Sequence, residues 1–221
     1  MTPCPHFDVE QFRTEPVRLA VAREVERPTL VLGSTQRAEL VDRQRVQDRG
    51  VEVVRRRGGG GSVLLQPGDH LWIDAWIPRD DHLWLGDVAA AATWVGEWWR
   101  DALAAFGIDE LEVHTGRSVP GELGELVCFA GRGPGEVFRR GCKVTGLSQW
   151  RGREGALFSS CAYAHWDPVP LADLMDLGDS IRAGLVRELT PTVVGVADLI
   201  PDLPGLGVLR DALLSSFSSQ G

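Results

Sequence analysis

The sequence has four cysteines, Cys4, Cys128, Cys142 and Cys161, but none in C-x-x-C spacing, and its five histidines are scattered, so no zinc or other metal site is expected. It has no apolar run long enough to cross a membrane. The opening residues, MTPCPHFDVEQFRTEP, lack the basic start and apolar core of a secretory leader. Positive charge is short as well: 23 Lys and Arg against 31 Asp and Glu leave a net charge of −8. The whole-molecule field therefore repels phosphate backbones, and no nucleic-acid partner is expected. No internal repeat or linker interrupts the chain. A single cytoplasmic domain over residues 1–221 is expected, with reduced thiols that mostly act as small buried hydrophobes.

What is present is enough apolar material, 43% of 221 residues, to bury a full core. VRLAVAREVERPTLVLGSTQ reads as two short strands, with Pro28 at the turn and Gly33 closing the second. AELVDRQRVQDRG reads as a helix closed by Gly50, and VEVVRR, SVLLQ and HLWIDAWIP read as strands. From Asp81 to Phe106, apolar residues recur at steps of three and four, which predicts an amphipathic helix of about seven turns over a sheet. Within it, Trp94, Trp98 and Trp99 at helical spacing read as core rather than as a ligand cage. Strand-like LEVH, ELVCFA, GEVF, CKVTGLSQW and ALFSSCAYAHW follow, and helical stretches around 171–177, 180–189 and 206–217 close the chain. This order predicts an α+β domain with a mixed or antiparallel sheet covered by helices.

One stretch stands apart from a plain fold. VEVVRRRGGGGSVLLQPGD, residues 51–69, sets Arg55, Arg56 and Arg57 against four glycines between two apolar runs. Consecutive glycines are kept where a side chain would obstruct a close approach, or else mark a flexible hairpin tip. A P-loop needs a lysine after its glycines and then a helix, and the dinucleotide fingerprint needs that helix too. Here the glycines lead into strand-like SVLLQ, so neither motif is present. What remains is a glycine loop between strands, whose amides suit a flat or anionic ligand while Arg56 neutralises charge. A second stretch, VCFAGRGPGEVFRRGCKVTGLSQWR at 127–151, places Lys143 after a tight glycine turn with small Gly146 and Ser148 behind it. By residue type alone, Lys143 is as readily a solvated strand lysine and Cys128 a core cysteine.

EVVRRRGGGGSV resembles the R-R-x-[ST]-G-G-G-A-V element of lipoate protein ligases, and GCKVTGLSQ resembles their G-[RK]-K-[IV]-x-G-S-[AS] element. RPTLVLGSTQ is similar to their upstream strand ending in G-x-x-Q, and the three occur in the family's order over roughly residues 17–167. The resemblance implies the catalytic fold shared by biotin and lipoate protein ligases. It implies that Arg56 and the backbone of Gly59, Gly60, Gly61, Ser62, Val63 and Leu64 surround an acyl-adenylate formed from ATP with Mg2+. Lys143 would contact both the phosphate and the acyl carbonyl, with Gly146 and Ser148 beside the acyl group. A fixed cation there stabilises the oxyanion that develops when an amine attacks a mixed anhydride. The implied substrate is lipoate or octanoate. The implied acceptor is a lysine of a lipoyl carrier domain of a 2-oxoacid dehydrogenase or glycine cleavage protein.

Several positions depart from that pattern. Leu65 and Gln66 stand where the family has His or Gln followed by Asp, and Ser62 replaces an alanine. PHFDVEQF is the one candidate for the family's N-terminal helix, and no C-terminal accessory domain is expected. Cys128 points to different chemistry: octanoyltransferases and amidotransferases of the superfamily place a catalytic cysteine before a phenylalanine, and here Cys128-Phe129 precedes Lys143 by fifteen positions. Such a thiolate takes an acyl group from acyl carrier protein as a thioester and passes it on without ATP. Lys143 nearby would favour the thiolate and polarise the thioester carbonyl. Three readings result: an ATP-dependent ligase, a cysteine acyltransferase, and a non-catalytic relative that binds an acyl ligand or a partner. The intact glycines with Arg56 put the ligase first.

Overall fold

The computed structural model describes residues 9–119, 121, 123–200 and 203–218. Cys4 and the first part of PHFDVEQF lie outside these residues. The described chain opens with the short helix α1 (Glu10–Arg13) and the strands β1 (Leu19–Arg23) and β2 (Thr29–Leu32). The helix α2 (Arg43–Asp48) and the strands β3 (Glu52–Arg55), β4 (Val63–Leu65) and β5 (His70–Pro78) follow. The long helix α3 (Val88–Ala105) then leads to β6 (Leu111–Val113), β7 (Val137–Arg139), β8 (Cys142–Arg151) and β9 (Gly155–Tyr163). The helices α4 (Val169–Asp173), α5 (Asp179–Leu189), α6 (Val196–Leu199) and α7 (Leu206–Ser218) complete the order.

Two sheets result. The larger runs β1-β5-β9-β8-β7-β6 with every neighbouring pair antiparallel. The smaller runs β3-β2-β4, with β3 parallel and β4 antiparallel to β2. β5 is buried along its whole length because both faces are covered, and its alternation sorts the core. Leu71, Ile73, Ala75 and Ile77 pack against Val95, Trp98 and Trp99 of α3 and Leu209, Leu213 and Phe217 of α7. Trp72, on the opposite face, joins the core formed with the small sheet, α4 and α5. Fold class is therefore as the sequence predicts, a largely antiparallel sheet covered by helices. Among the described residues, no helix is long and apolar enough to cross a membrane.

Three elements differ from the sequence expectation; the helix expected over 38–50 is α2 alone, capped by Asp42 and preceded by a 3-10 turn at Ala38–Leu40 and the bridge of Val41 to Met175. α3 begins at Val88 rather than near Asp81, because the Asp87 carboxylate accepts from Ala90 N at 2.7 Å and caps the first turn. Leu85 and Val88 are exposed, so the apolar periodicity at this end does not mark a buried stripe. ELVCFA forms no strand. Leu126 N and Val127 N both donate back to Leu123 O, and Cys128–Ala130 continue as a 3-10 turn. β7 covers β8 only as far as Thr145, so residues 146–151 of β8 pair with β9 alone and leave their other edge open.

Candidate active site

The glycine loop is held from beneath by the arginine that precedes it. Arg56 folds back under residues 58–61, and its Nη2 donates to Gly59 O at 2.7 Å and Gly61 O at 2.9 Å. Its side chain is 3% exposed and makes no ion pair among the described residues. Burial accordingly lowers its pKa from the ordinary arginine value. Gly60 adopts φ of +93°, and a Cβ there would stand 3.1 Å from Arg56 Nη2. A Cβ on Gly61 would fall 2.4 Å from the carbonyl carbon of Val127. What approaches this backbone so closely is the chain's own 127–128 segment, tied on by Ser62 N to Leu126 O at 2.8 Å and Cys128 N to Ser62 O at 3.1 Å.

Gln36, the glutamine of the G-x-x-Q element, locks these pieces together. Its Oε1 accepts from Gly33 N at 2.9 Å and Ser62 Oγ at 3.1 Å, while Nε2 donates to Glu125 O and Leu126 O at 2.8 and 3.0 Å. The Ser62 hydroxyl thus adds a bond that alanine lacks. Val63 and Leu64 are buried in β4, and Leu64 O accepts from Tyr163 OH at 3.0 Å. Gly59 faces open space, and a Cβ added there would meet nothing within 4 Å.

Lys143, the chain's only lysine, enters from the β7–β8 hairpin. It is 1% exposed, with Nζ 2.7 Å from Glu136 Oε2 and donating to Cys128 O at 3.1 Å. The rings of Phe129 and Phe138 lie 5.5 and 5.8 Å away. An ammonium has three donors, so one N–H stays uncommitted among the described residues. Glu136 Oε2 also accepts from Gly133 N at 2.7 Å, and burial, the dominant influence, raises this carboxyl above its usual range despite Lys143. Nothing in the sequence singles out Glu136. The available clue is its place seven positions ahead of Lys143 across the hairpin. Cys142 turns elsewhere, its thiol toward Pro191 O.

A cavity of about 390 Å³ is bounded by Gly60, Cys128, Glu136, Leu147, Gln149 and Ala92. Gly59, Gly61 and Ser148 line it as well, whereas Gly146 packs under the Phe129 ring. The half-buried Cys128 thiol lies beside Gly60. The structure thus gathers the glycine loop, the cysteine, Ser148 and the partner of Lys143 on one surface. Beyond Gly60 and Gly124 opens a second space of about 610 Å³ lined by Gln36, Arg37 and Leu40.

The sequence matches the lipoyl protein ligase A/B catalytic domain over residues 10–217. The chain belongs to this family. Its fold is that of known lipoate protein ligases. A bipartite ligase structure from Thermoplasma acidophilum, described together with its E2 lipoyl domain, superposes with a TM-score of 0.70 at 20% identity, covering 91% of this chain and 70% of that one. A T. acidophilum putative lipoate protein ligase with bound lipoic acid gives 0.66 at 21% identity, covering 91% and 71%. A lipoate-protein ligase A bound with ATP gives 0.67 at 22% identity, covering 91% and 72%. No curated protein matches the chain in sequence. This lipoyl protein ligase A/B domain is accordingly an enzyme of the ligase or transferase kind.

Proposed function

We propose that this domain activates lipoate or octanoate with ATP as the acyl-adenylate and transfers the acyl group to a lysine of a lipoyl carrier domain, of a 2-oxoacid dehydrogenase or glycine cleavage protein. The observation that carries this reading is Lys143: a buried ammonium held by Glu136 and by Cys128 O, both residues of the glycine-bordered cavity, with one N–H uncommitted among the described residues. Similarity to ligases described with ATP and with lipoic acid supports it. In the first step a carboxylate oxygen attacks the α-phosphorus of ATP, and the bond to pyrophosphate breaks. In the second, the carrier lysine nitrogen attacks the acyl carbonyl carbon and the bond to AMP breaks.

Lys143 directs its free N–H at the oxygen that gains charge in both steps, in a site where water does not weaken it. Glu136 keeps Lys143 in place. As the carboxylate of the cavity whose proton affinity burial raises, it also suits the proton that the attacking amine loses. The open backbone at Gly59 admits a bulky anhydride. The Glu136 carboxylate is already taken by Lys143 and Gly133 N, and no cluster of three potential metal ligands exists among the described residues, so Mg2+ would enter on the ATP phosphates and water rather than on a protein site. A cytoplasmic location fits this reading.

A second reading has its own observation, the Cys128 thiol beside Gly60 on the same cavity. There the cysteine sulfur would take octanoyl from acyl carrier protein, releasing the carrier thiol, and pass it to the lysine without ATP. Intact mass of a carrier domain after incubation with octanoate and ATP, or with octanoyl carrier protein and no ATP, tests both. An adduct that requires ATP, with full activity in Cys128→Ser, supports the ligase. An ATP-independent adduct from octanoyl carrier protein, with an acylated Cys128, replaces it with the transferase. No adduct under either condition overturns both.

A further inference from the structure

An acyl group activated in this site meets two primary amines, that of the acceptor lysine and that of Lys143, and Lys143 is the nearer. A lysine that holds a carbonyl oxygen at about 2.9 Å has its nitrogen roughly 3–4 Å from the carbonyl carbon, given a C=O bond of about 1.23 Å. Reacting atoms attack from about 3–3.5 Å. Distance therefore does not spare Lys143. Its proton does, because an ammonium has donors but no lone pair with which to attack.

The surroundings of Nζ rest that proton on one group. Glu136 Oε2 lies 2.7 Å from Lys143 Nζ, with 4% of its side chain exposed and 1% of the lysine's. The same oxygen accepts from Gly133 N at 2.7 Å, which fixes the carboxylate against the ammonium. The other groups close to Nζ bring no negative charge: Cys128 offers its carbonyl oxygen, and Phe129 and Phe138 offer neutral rings. Arg132, whose guanidinium lies 4.4 Å from the Phe138 ring centroid, is of like sign. Among the described residues Glu136 is the one carboxylate paired with Lys143. With a neutral side chain at 136 the ammonium would be stranded away from water, where burial favours the uncharged amine.

We propose that Glu136 protects the catalyst from its own chemistry: by holding the proton on Lys143, it keeps the chain's only lysine from being acylated by the adenylate bound against it. The inference rests on the acyl-activation reading above. In the step that Glu136 blocks, a neutral Nζ adds to the acyl carbonyl carbon and the bond from that carbon to the phosphate oxygen breaks. AMP leaves with the electron pair, and the surplus proton on nitrogen passes to water. The resulting amide is uncharged, so the cation that stabilises the developing oxyanion is lost for good. Glu136 acts here through Lys143 and is a positioning residue.

The test supplies preformed octanoyl-adenylate, without a carrier domain, to the unaltered protein and to Glu136→Gln, Glu136→Met and Glu136→Asp. Intact mass and peptide mapping follow the product. A single lysine makes an octanoyl amide at 143 unambiguous, mapping separates it from the N-terminal amine, and hydroxylamine removes any thioester at Cys128. Both neutral variants are expected to gain octanoyl on Lys143 at least about tenfold faster than the unaltered protein. Two neutral side chains of different shape guard against one that does not fold. Glu136→Asp keeps the charge and should stay within about threefold of the unaltered protein. The proposal is overturned if the unaltered protein gains octanoyl-Lys143 as fast as the neutral variants, or if folded neutral variants leave Lys143 free. Labelling of Glu136→Asp at the neutral variants' rate overturns it as well, because looser packing and not charge is then the cause. Octanoate-dependent ATP–pyrophosphate exchange in the unaltered protein is measured alongside. No exchange overturns the acyl-activation reading and this inference with it, whereas exchange together with unlabelled variants overturns this inference alone.

Discussion

Lys143 Nζ and Glu136 Oε2 lie 2.7 Å apart, and both side chains are buried. Each makes the other tolerable, because either charge alone would be stranded away from water. Glu136→Ala should lower stability by about 3–5 kcal/mol, measured by urea unfolding. Replacing both, as Glu136→Leu with Lys143→Met, should restore most of that loss while abolishing transfer to the carrier. A stable but inactive double variant separates the lysine's chemistry from its packing.

Gly61 and Gly59 are two positions apart and should respond oppositely to alanine. At Gly61 the new methyl meets the Val127 carbonyl carbon, so the 3-10 turn carrying Cys128 has to move. A loss of roughly 1–3 kcal/mol is expected, with transfer falling in parallel. Gly59→Ala meets nothing within 4 Å. Its stability should stay within about 0.5 kcal/mol of the unaltered protein. Thermal unfolding of the two variants side by side is sufficient.

Arg56→Lys keeps the charge and removes the fork. Nη2 serves Gly59 O and Gly61 O while Nη1 reaches toward Val31 O at 3.5 Å, and one ammonium cannot occupy both nitrogen positions of the planar guanidinium. The expected cost is about 1–3 kcal/mol. Hydrogen exchange should quicken at residues 58–62 before it does so elsewhere.

His70 sets a pH dependence. Burial lowers its pKa from the usual histidine value, with Nδ1 2.7 Å from Gln66 O. Between the lowered folded value and about 6.5, the unfolded chain binds a proton that the folded one does not. This contribution is therefore complete above about 6.5 and declines as pH falls through that window. Urea midpoints at several pH values should show the decline in the unaltered protein and a shallower one in His70→Gln.

Much of this architecture is legible in the sequence because alternation and glycine punctuation are local signals. β5 and β9 read directly from their patterns. ELVCFA did not, since an apolar hexamer suits strand and turn equally, and its turn is imposed by Leu123 O and by the pairing of Ser62 with residues 126–128. The start of α3 was set by one carboxylate, Asp87, against a periodicity that ran past it. Lys143, Cys128, Ser148 and the glycines were visible as residue types at suggestive spacing. Gln36 was marked by the G-x-x-Q element, whereas Glu136 was not visible, because its importance lies in what it touches. Arg56 shows the same limit: its direction under the loop is a property of three dimensions.

Of the 23 lysine and arginine side chains, twenty-two are arginines, and the single lysine lies within the interior. Reactive acyl groups escape from active sites and are captured by whichever primary amines are near. Guanidinium groups remain protonated and are poor targets. The folded surface of this domain thus displays no lysine amine, so under the acyl-transfer function proposed above a stray acyl group would find no lysine on the catalyst's own surface.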